Sequence, residues 1–268
     1  MSNVTVDPVS GLQLVELSHE WGLGTPSYPG QTDVKMHRAV KHAQHGVLAW
    51  RIVTVMHTGT HMNAPLHLIQ KGADLAAVSP DRLFGNGCIL DVPKKPWEVI
   101  TAADLKNAKP GVKEGDIVVI VTGWHHKYSD ALEYYGEAPG LSKEAAEWLV
   151  SMKPKMVAID TPFIDHPMAT SMANHRGGPQ MKRLNGEYIK ATGLDPKKEH
   201  PEWNIAGRTI AGAGIPYVEQ VGGDVDVVKG KRATLAATPW KFEHGDACQV
   251  RMVAMCYPSG KLRIEAGN

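Results

Sequence analysis

Hydrophobic residues in this chain occur mostly in short runs that are bounded by glycine, proline and polar residues. The run at 116–123 is continuous and rich in β-branched residues, which predicts a strand that is buried on both faces. Residues 12–18 alternate well enough for a strand with one buried face. By these criteria we predict strands at residues 12–18, 48–56, 87–92, 116–123 and 156–159, and a hairpin-like pair at 234–240 and 247–256. Ordered sequence is expected to resume at 215–219.

Helical patterns are fewer. Ser142 precedes a segment, 143–152, whose apolar residues lie on one helical face, so we predict a helix with Ser142 as its N-cap. Thr101 and Asp104 are three residues apart, the spacing of a capping box at the start of a short helix. Many short strands and few helices predict an α+β, β-rich mixed fold.

One long segment, from about 176 to 205, does not fit either pattern. Glycine, proline and lysine dominate it, and its apolar periodicity is poor. Such a polar segment inside a compact domain is usually a lid, an oligomer arm or a disordered loop. We therefore expect a single domain over residues 1–268 that carries a polar insertion at about 176–205.

Composition and charge exclude several classes of protein. The formal net charge of the 268 residues is +1, which offers no electrostatic attraction to nucleic acid or to an anionic membrane. No apolar run approaches the roughly 20 residues of a membrane span, and residues 1–7 lack the features of a secretory signal. The three cysteines have no CxxC spacing and are typical of buried thiols in a reducing compartment. We expect a cytoplasmic protein whose partner is a small molecule.

The strongest chemical signal is a group of three histidines and one asparagine within eleven residues: His57, His61, Asn63 and His67. All four positions are odd, so an extended chain would project these side chains to one side. A straight strand would spread them over roughly 33 Å, whereas the ligands of one ion lie about 2 Å from it. Gly59 permits the bend that is needed. We predict a metal site in which a folded loop turns His57, His61 and Asn63 inward.

Chance clustering is the alternative, because the chain contains 13 histidines. Against it, the segment 48–56 is expected to form a buried strand that delivers the cluster to the edge of a sheet, where sites form. Other catalytic motifs are missing. Gly212 and Gly214 resemble the start of a dinucleotide fingerprint, but Tyr217 occupies its last position. The chain has no GxSxG or Walker A sequence, and no cysteine in an activating context.

Aromatic and polar residues near predicted strand ends are candidates for the rest of the site. Trp21, Tyr28 and Trp124 are candidates to wall a substrate pocket, although aromatic residues also simply cover a core. Thr60 could anchor the bend or hydrogen-bond a water molecule. Asp160 ends a strand, where it could orient a ligand histidine or cap a turn.

The pattern His-x-Gly-Thr-His-x-(Asp/Asn)-x-Pro-x-His at residues 57–67 resembles the hallmark of the metal-dependent cyclase-family hydrolases, which include bacterial kynurenine formamidase, isatin hydrolase and a trans-dienelactone hydrolase. Weaker similarities to the family follow in the same order along the chain, at residues 17–19, 28–30, 115–116, 122–124 and 159–162. The resemblance implies a swivelling β/β/α domain and a homodimer or homotetramer.

The resemblance also implies roles for individual residues. His57, His61 and the residue at 63 look like metal ligands, and His67 is similar to the acid/base histidine of the family. His175 and Glu219 resemble the later residues that help to hold a second ion in two-metal members. Asn63 stands where the family usually has aspartate, and a neutral amide bridges two cations poorly. We therefore expect one divalent ion, Zn²⁺ or Mn²⁺, with a second ion as the alternative.

The expected activity is metal-dependent hydrolysis of an amide, imide or lactone bond in a small, cyclic or aromatic substrate. Amide-type C–N cleavage ranks above lactone opening on family resemblance alone. The alternatives are a dienelactone-type hydrolase and a member of the fold that binds a metal or small molecule without catalysis. A serine or cysteine hydrolase is a third class, which a chelator would not inhibit.

Overall fold

The computed structural model describes residues 4–175 and 181–257, and fourteen strands lie within them. Their bounds are β1 (Val4–Val6), β2 (Gln13–Glu16), β3 (Lys35–Val40), β4 (Ala49–Val53), β5 (His61–Asn63), β6 (Phe84–Asp91), β7 (Val99–Ile100), β8 (Ile117–Val121), β9 (Gly140–Leu141), β10 (Met156–Ile159), β11 (Tyr217–Glu219), β12 (Lys231–Ala237), β13 (Ala247–Gln249) and β14 (Met252–Cys256).

The α-helices of the described residues are short. They are α1 (His42–His45), α2 (Ala102–Asn107), α3 (Leu132–Gly136), α4 (Lys143–Ser151), α5 (Leu184–Thr192), α6 (Pro196–Glu199) and α7 (Ile205–Gly212). None of these helices has the length and apolar character needed to cross a membrane. The prediction of a β-rich mixed fold is confirmed, whereas the expectation of a single domain stays a prediction.

Ten of the strands form one mixed sheet in the order β1-β2-β14-β12-β6-β8-β10-β11-β5-β13. Its centre, β6-β8-β10-β11, is parallel. Antiparallel strands flank this centre on both sides. The remaining strands pair separately, β3 with β4 and β7 with β9.

Strand β8 shows why the sheet has two covered faces. All five of its residues are buried. Ile117 and Val119 point into a core between parts of the sheet itself, whereas Val118 and Ile120 point into a core that α4 and α7 cover. A parallel strand at the centre of a sheet is enclosed in this way, which is why its sequence is a continuous apolar run. The prediction of a doubly buried strand at 116–123 is therefore confirmed.

Helix caps follow the local sequence. Thr101 accepts a hydrogen bond from the backbone N–H of Asp104, whose carboxylate accepts one from the backbone N–H of Thr101, so the predicted capping box forms at α2. Ser142 caps α4 by accepting from the N–H of Ala145.

The prediction of a buried strand at 48–56 is wrong in its burial. A strand does form there, as β4, but every residue of it is exposed in this chain. It pairs with β3 in a two-stranded sheet instead of joining the large one. Alternating apolar residues favour a strand, but they do not specify which element will cover it.

Two further predictions need correction. The pair at 234–240 and 247–256 is not one hairpin, because β12 pairs with β14 while β13 pairs with β5.

The insertion at 176–205 is largely helical where it is described. Its residues 176–180 lie outside the described residues, and α5 and α6 follow. Leu184 and Tyr188, one helical turn apart, bury one face of α5, a signal that is hard to see among the surrounding polar residues.

One buried ion pair stabilises the start of β8. Asp116 is 3% exposed, and its Oδ2 accepts a hydrogen bond from Nη1 of Arg232 at 3.0 Å. A second guanidinium nitrogen bonds Oδ1, so the pair is bidentate. Because the carboxylate is shielded from water, the loss of its partner is costly.

We expect Arg232→Ala to lower the free energy of unfolding by about 3–5 kcal/mol, because it leaves the Asp116 carboxylate buried without its charged partner. Glu114→Gln is a matched control, since it breaks an ion pair with Lys153 whose side chains are 68% and 72% exposed. This control should change the free energy by less than about 1 kcal/mol. Urea denaturation of both variants measures the difference, and equal losses would contradict the prediction.

Candidate metal centre

Side chains that could bind a metal ion come together because β5 is paired with another strand on each of its edges. His61 faces Glu219 of β11 on one side and Gln249 of β13 on the other. His61 and Asn63 lie on one face of β5 because side chains alternate along a strand. Met62, between them, packs into the core on the opposite face. The odd-position argument from the sequence therefore holds within β5.

The chain bends just before β5. Gly59 has φ +69°, and a Cβ at this position would lie 2.8 Å from Cδ1 of Trp21, so both conformation and space favour glycine. Thr60 anchors the bend by donating to the carbonyl oxygen of Gln220 at 2.5 Å and accepting from the N–H of His19 at 3.0 Å. Nδ1 of His61 donates to the Gly59 carbonyl oxygen at 2.8 Å, which orients Nε2 towards Glu219.

A first group of ligand-type atoms surrounds His61. Its Nε2 lies 3.3 Å from Oε2 of Glu219. Asn63 donates from Nδ2 to the same carboxylate oxygen at 2.9 Å, and the N–H of Ile164 donates to Oε1 at 2.7 Å. Burial by itself raises the pKa of Glu219, but the contacts with His61 and Ile164 outweigh it, so that the pKa is lowered. Glu219 is therefore held as an anion.

A second group surrounds Asp246, which sequence reasoning missed. Oδ2 of Asp246 accepts from Nε2 of His57 at 2.9 Å and from Nδ1 of His67 at 3.4 Å. These hydrogen bonds, that of His57 first, lower the pKa of the Asp246 carboxyl. The rings of His57 and His61 are perpendicular, with centroids 5.2 Å apart, so the two groups adjoin. The only local signal for Asp246 is an acidic residue placed directly before a strand.

A cavity of about 290 Å³ opens onto both groups. Apolar and aromatic side chains form much of its wall: Tyr28, Leu68, Pro162, Phe163, Trp203 and Tyr217. The insertion contributes Trp203 and so builds part of the wall. Tyr28 was predicted, whereas Phe163 and Trp203 were not, although Phe163 follows closely after the predicted strand at 156–159.

Asp165 is a further carboxylate of the cavity wall that the sequence did not point out. It accepts hydrogen bonds from the backbone N–H groups of Ala206 and Gly207, at 2.8 and 2.9 Å, in the first turn of α7. Burial raises the pKa of Asp165 to about 7, against the effect of these two donors. The contact joins the segment after β10 to α7, which packs beside the cavity.

Comparison with known proteins identifies the family. The model of the family described as "Putative cyclase" matches residues 15–166, more than half of the chain. The chain belongs to the cyclase family. A kynurenine formamidase from Erythrobacter litoralis (strain HTCC2594) is 28% identical over 154 residues, which are 57% of this chain and 68% of that protein. The predictions of a cyclase-family member and of an enzyme are thereby confirmed.

Solved structures show the same fold. A crystal structure of an isatin hydrolase bound to the product analogue thioisatinate superposes with a TM-score of 0.74 at 19% identity, over 92% of this chain and 93% of that one. Isatin hydrolase A from Ralstonia solanacearum gives a TM-score of 0.69 at 18% identity, over 91% and 92%. At such identities the similarity establishes the fold alone, and it confirms the cyclase-family architecture.

Several residues predicted for the site of this cyclase-family chain lie away from the cavity. Trp21 packs against Gly59, and Trp124 is 1% exposed in an aromatic core, where its Nε1 donates to the carbonyl oxygen of Tyr134. His175 contacts Asn185, with 3.2 Å between Nδ1 of the histidine and Nδ2 of the asparagine. It is not among the described residues that line the cavity.

Asp160 binds a different histidine from those of the predicted site. Its carboxylate accepts from the N–H groups of Thr122 and Gly123, both at 2.9 Å, and from Nδ1 of His125 at 2.9 Å. Burial by itself lowers the pKa of His125, but Asp160 and then Asp226 outweigh it and raise the pKa. Asp160 therefore ties the end of β10 to the loop after β8.

His125, His126 and Asp226 form a second cluster of ligand-type atoms within 4.8 Å of one another. His126 is largely exposed. Nζ of Lys229 already pairs with Oδ1 of Asp226 at 3.0 Å. His125 lies between the carboxylates of Asp160 and Asp226, so hydrogen bonds and ion pairs among the protein's own side chains account for this cluster.

The residues around His57 and His61 fit a divalent ion better. Two ligand atoms that are each about 2 Å from one tetrahedral ion lie roughly 3.3 Å apart. His61 Nε2 and Glu219 Oε2 match this separation at 3.3 Å. In addition, Oδ1 of Asn63 is buried and has no hydrogen-bond partner within the described chain, so an oxygen is available there. Nitrogen and oxygen ligands together suit Zn²⁺ or Mn²⁺.

We expect Asp160→Ala to lower the free energy of unfolding by at least about 2 kcal/mol, because several buried N–H groups lose their acceptor, while the bound metal is retained. Asp226→Ala is the matched control, and it should cost less than about 1 kcal/mol because Asp226 is 40% exposed. Thermal denaturation and metal content measure the two effects. A folded Asp160→Ala variant without metal would instead place Asp160 in the metal site.

Proposed function

We propose that this chain is a metal-dependent hydrolase that opens an amide, imide or lactone bond of a small substrate, with amide-type C–N cleavage favoured. The observation that carries the proposal is a single cavity lined by His57, His61, His67 and Glu219. The ring centroids of His57 and His67 lie 4.3 Å apart there. The relative named kynurenine formamidase supports the choice of an amide bond.

A divalent ion, when bound, polarises a carbonyl oxygen and lowers the pKa of a water molecule from 15.7 to about 7. His57, His61 and Glu219 would hold it, and Asn63 offers a further oxygen. His67 serves as the proton carrier, because its imidazole lies at the cavity wall and is 31% exposed. It would take a proton from the attacking water and return it to the leaving nitrogen or oxygen. The products are a carboxylate and an amine from an amide, a carboxylate and an amide from an imide, or a carboxylate and an alcohol from a lactone.

The cavity wall supports a flat, aromatic or cyclic substrate. Tyr28 and Phe163 meet edge to face, with centroids 5.3 Å apart, and Trp203 lies across the same cavity. Aromatic walls bind planar rings over a large apolar area. The hydroxyl of Tyr28, which pairs with Oγ of Ser171 at 2.5 Å, can orient a polar group of the substrate. A cavity of about 290 Å³ suits a small molecule.

We further propose one Zn²⁺ or Mn²⁺ ion per chain and a homodimer or homotetramer. The exposed apolar side chains of the β3–β4 sheet, among them Trp50, Ile52 and Val53, support association between copies of the chain. The expectations that neither nucleic acid nor a membrane is a partner rest on the net charge and on the absence of a long apolar run.

A member of the fold that binds without catalysis is the second candidate. Asn63 favours it, because a neutral amide at this position weakens the electrostatic field of the site. His67 argues for catalysis, since a binder has no use for a proton carrier next to the ligands. A lactone hydrolase of the dienelactone type would use the same residues.

We expect the purified chain to hydrolyse one or more of isatin, N-formylkynurenine and simple lactones, and to lose this activity in a chelator. Readdition of Zn²⁺ or Mn²⁺ should restore it, because the ion supplies the electrophile. Absorbance assays with and without the chelator test this. Hydrolysis that is insensitive to the chelator but stopped by a covalent serine or cysteine reagent would contradict the proposal.

We expect His67→Ala to reduce kcat by about 10²- to 10⁴-fold through loss of the proton carrier, while the variant still binds metal. His126→Ala, which removes an exposed histidine outside the cavity, should leave kcat unchanged. Steady-state kinetics and metal analysis of both variants measure the difference. Full activity of the His67→Ala variant would remove His67 from the mechanism.

A further inference from the structure

Asp246 reaches the site from the far end of the chain. It lies 189 residues after His57, directly before β13. Its carbonyl oxygen accepts from the N–H of Ala64 at 2.8 Å, directly after β5, and this contact sets the position of its backbone. The preceding residue is also anchored, because the carbonyl oxygen of Gly245 accepts from the N–H of Leu75 at 3.0 Å. The backbone at Asp246 is thus fixed by hydrogen bonds to two successive carbonyl oxygens, that of Gly245 and its own.

The side chains of the proposed site carry less negative charge than is needed to balance a divalent ion, so a second carboxylate would complete the balance. Among His57, His61, Asn63 and Glu219, only Glu219 is an anion, whereas the expected ion is divalent. Asn63 can contribute an oxygen but no charge. Asp246 supplies the missing negative charge next to His57. Its carboxylate is 47% exposed and faces two imidazoles rather than a lysine or arginine.

The distance between His57 and Asp246 also fits two ligands of the same metal ion. Nε2 of His57 and Oδ2 of Asp246 are 2.9 Å apart, close to the roughly 3.3 Å expected for two ligand atoms of one ion. The ligand-type atoms of His57, His67 and Asp246 all lie within 4.8 Å of one another. An imidazole with a carboxylate beside it is a common metal-binding pair.

We propose that Asp246 is a metal ligand of this chain, which binds together with His57 and compensates for the neutral Asn63. The same carboxylate accepts a hydrogen bond from Nδ1 of His67, and this leaves the other nitrogen of His67 for proton transfer. The assignment deepens the proposed function and rests on it for the presence of a catalytic ion.

The test is metal binding, measured without substrate. The full chain is freed of metal by a chelator and titrated with Mn²⁺ and with Zn²⁺ in a calorimeter. We expect Asp246→Asn to weaken binding at least tenfold or to lower the stoichiometry. Glu243→Gln is the matched control, since Glu243 lies three residues away in the same loop with its side chain 85% exposed, and it should bind as the unmodified chain does. An Asp246→Asn variant with unchanged melting temperature, affinity and stoichiometry overturns the proposal.

The compensation by charge has its own test. The double variant Asn63→Asp with Asp246→Asn returns one carboxylate to the site at the other position. We expect it to bind the ion at least tenfold more tightly than Asp246→Asn alone. A double variant that binds no more tightly than Asp246→Asn overturns the compensation.

A second measurement covers the case in which Asp246→Asn does not fold. Asp246→Glu keeps the charge, and the visible spectrum of bound Co²⁺ reports the ligands directly. We expect this spectrum to change in Asp246→Glu but not in Glu243→Gln, and an unchanged spectrum in Asp246→Glu overturns the assignment. Because neither experiment uses turnover, failure to hydrolyse any tested substrate would count against the proposed function alone. Normal hydrolysis with unaltered metal binding in Asp246→Asn would count against Asp246 alone.

Discussion

Pairing of β5 on both of its edges is the constraint on which the site depends. The strand is three residues long, yet its ladder with β11 places Glu219 opposite His61, and its ladder with β13 brings Asp246 next to Ala64. A backbone ladder holds the Cβ atoms of directly facing residues about 4.5–5.5 Å apart. Ligands on such strands are better positioned than ligands on free loops, and this favours a preorganised metal centre.

Burial of charge is the second constraint. Glu219 is 9% exposed, and an isolated carboxylate at such a place would be protonated. The N–H of Ile164, the amide of Asn63 and the imidazole of His61 keep it ionised. Asp246 remains partly in water and needs less support. A deep carboxylate therefore lies beside His61 and a shallow one beside the neighbouring His57, and a divalent ion between them would balance both charges.

The substrate side of the cavity comes from other parts of the chain. Tyr28 precedes β3, Phe163 follows β10, and Trp203 belongs to the helical insertion before α7. The guanidinium of Arg208 lies 4.9 Å from the ring centroid of Trp203 and stabilises its place in the wall. The strands thus supply the reactive groups, whereas connections between elements supply the surface that selects the substrate. This division agrees with the general tendency of specificity to reside in loops.

Local sequence determined the features that depend on near neighbours. The buried run of β8, the capping box at Thr101, the bend at Gly59 and the common face of His61 and Asn63 all follow from patterns within a few residues. The family motif at 57–67 likewise pointed to the family, and the resemblance extended the site to Glu219. These features could be predicted because propensity, side-chain alternation and capping act over short distances.

Tertiary structure alone decided the rest. Whether β4 is covered depends on elements far from it in the chain, so its apolar pattern could not show that it is exposed. Strand pairing brings Asp246 to His57, and helix packing brings Trp203 to the cavity, each over more than a hundred residues. Neither residue lies in a pattern that local chemistry would single out. Trp124 shows the converse, because a strand-end aromatic residue became core when other aromatic residues enclosed it. Proximity in space is set by the whole fold, and no window of sequence contains it.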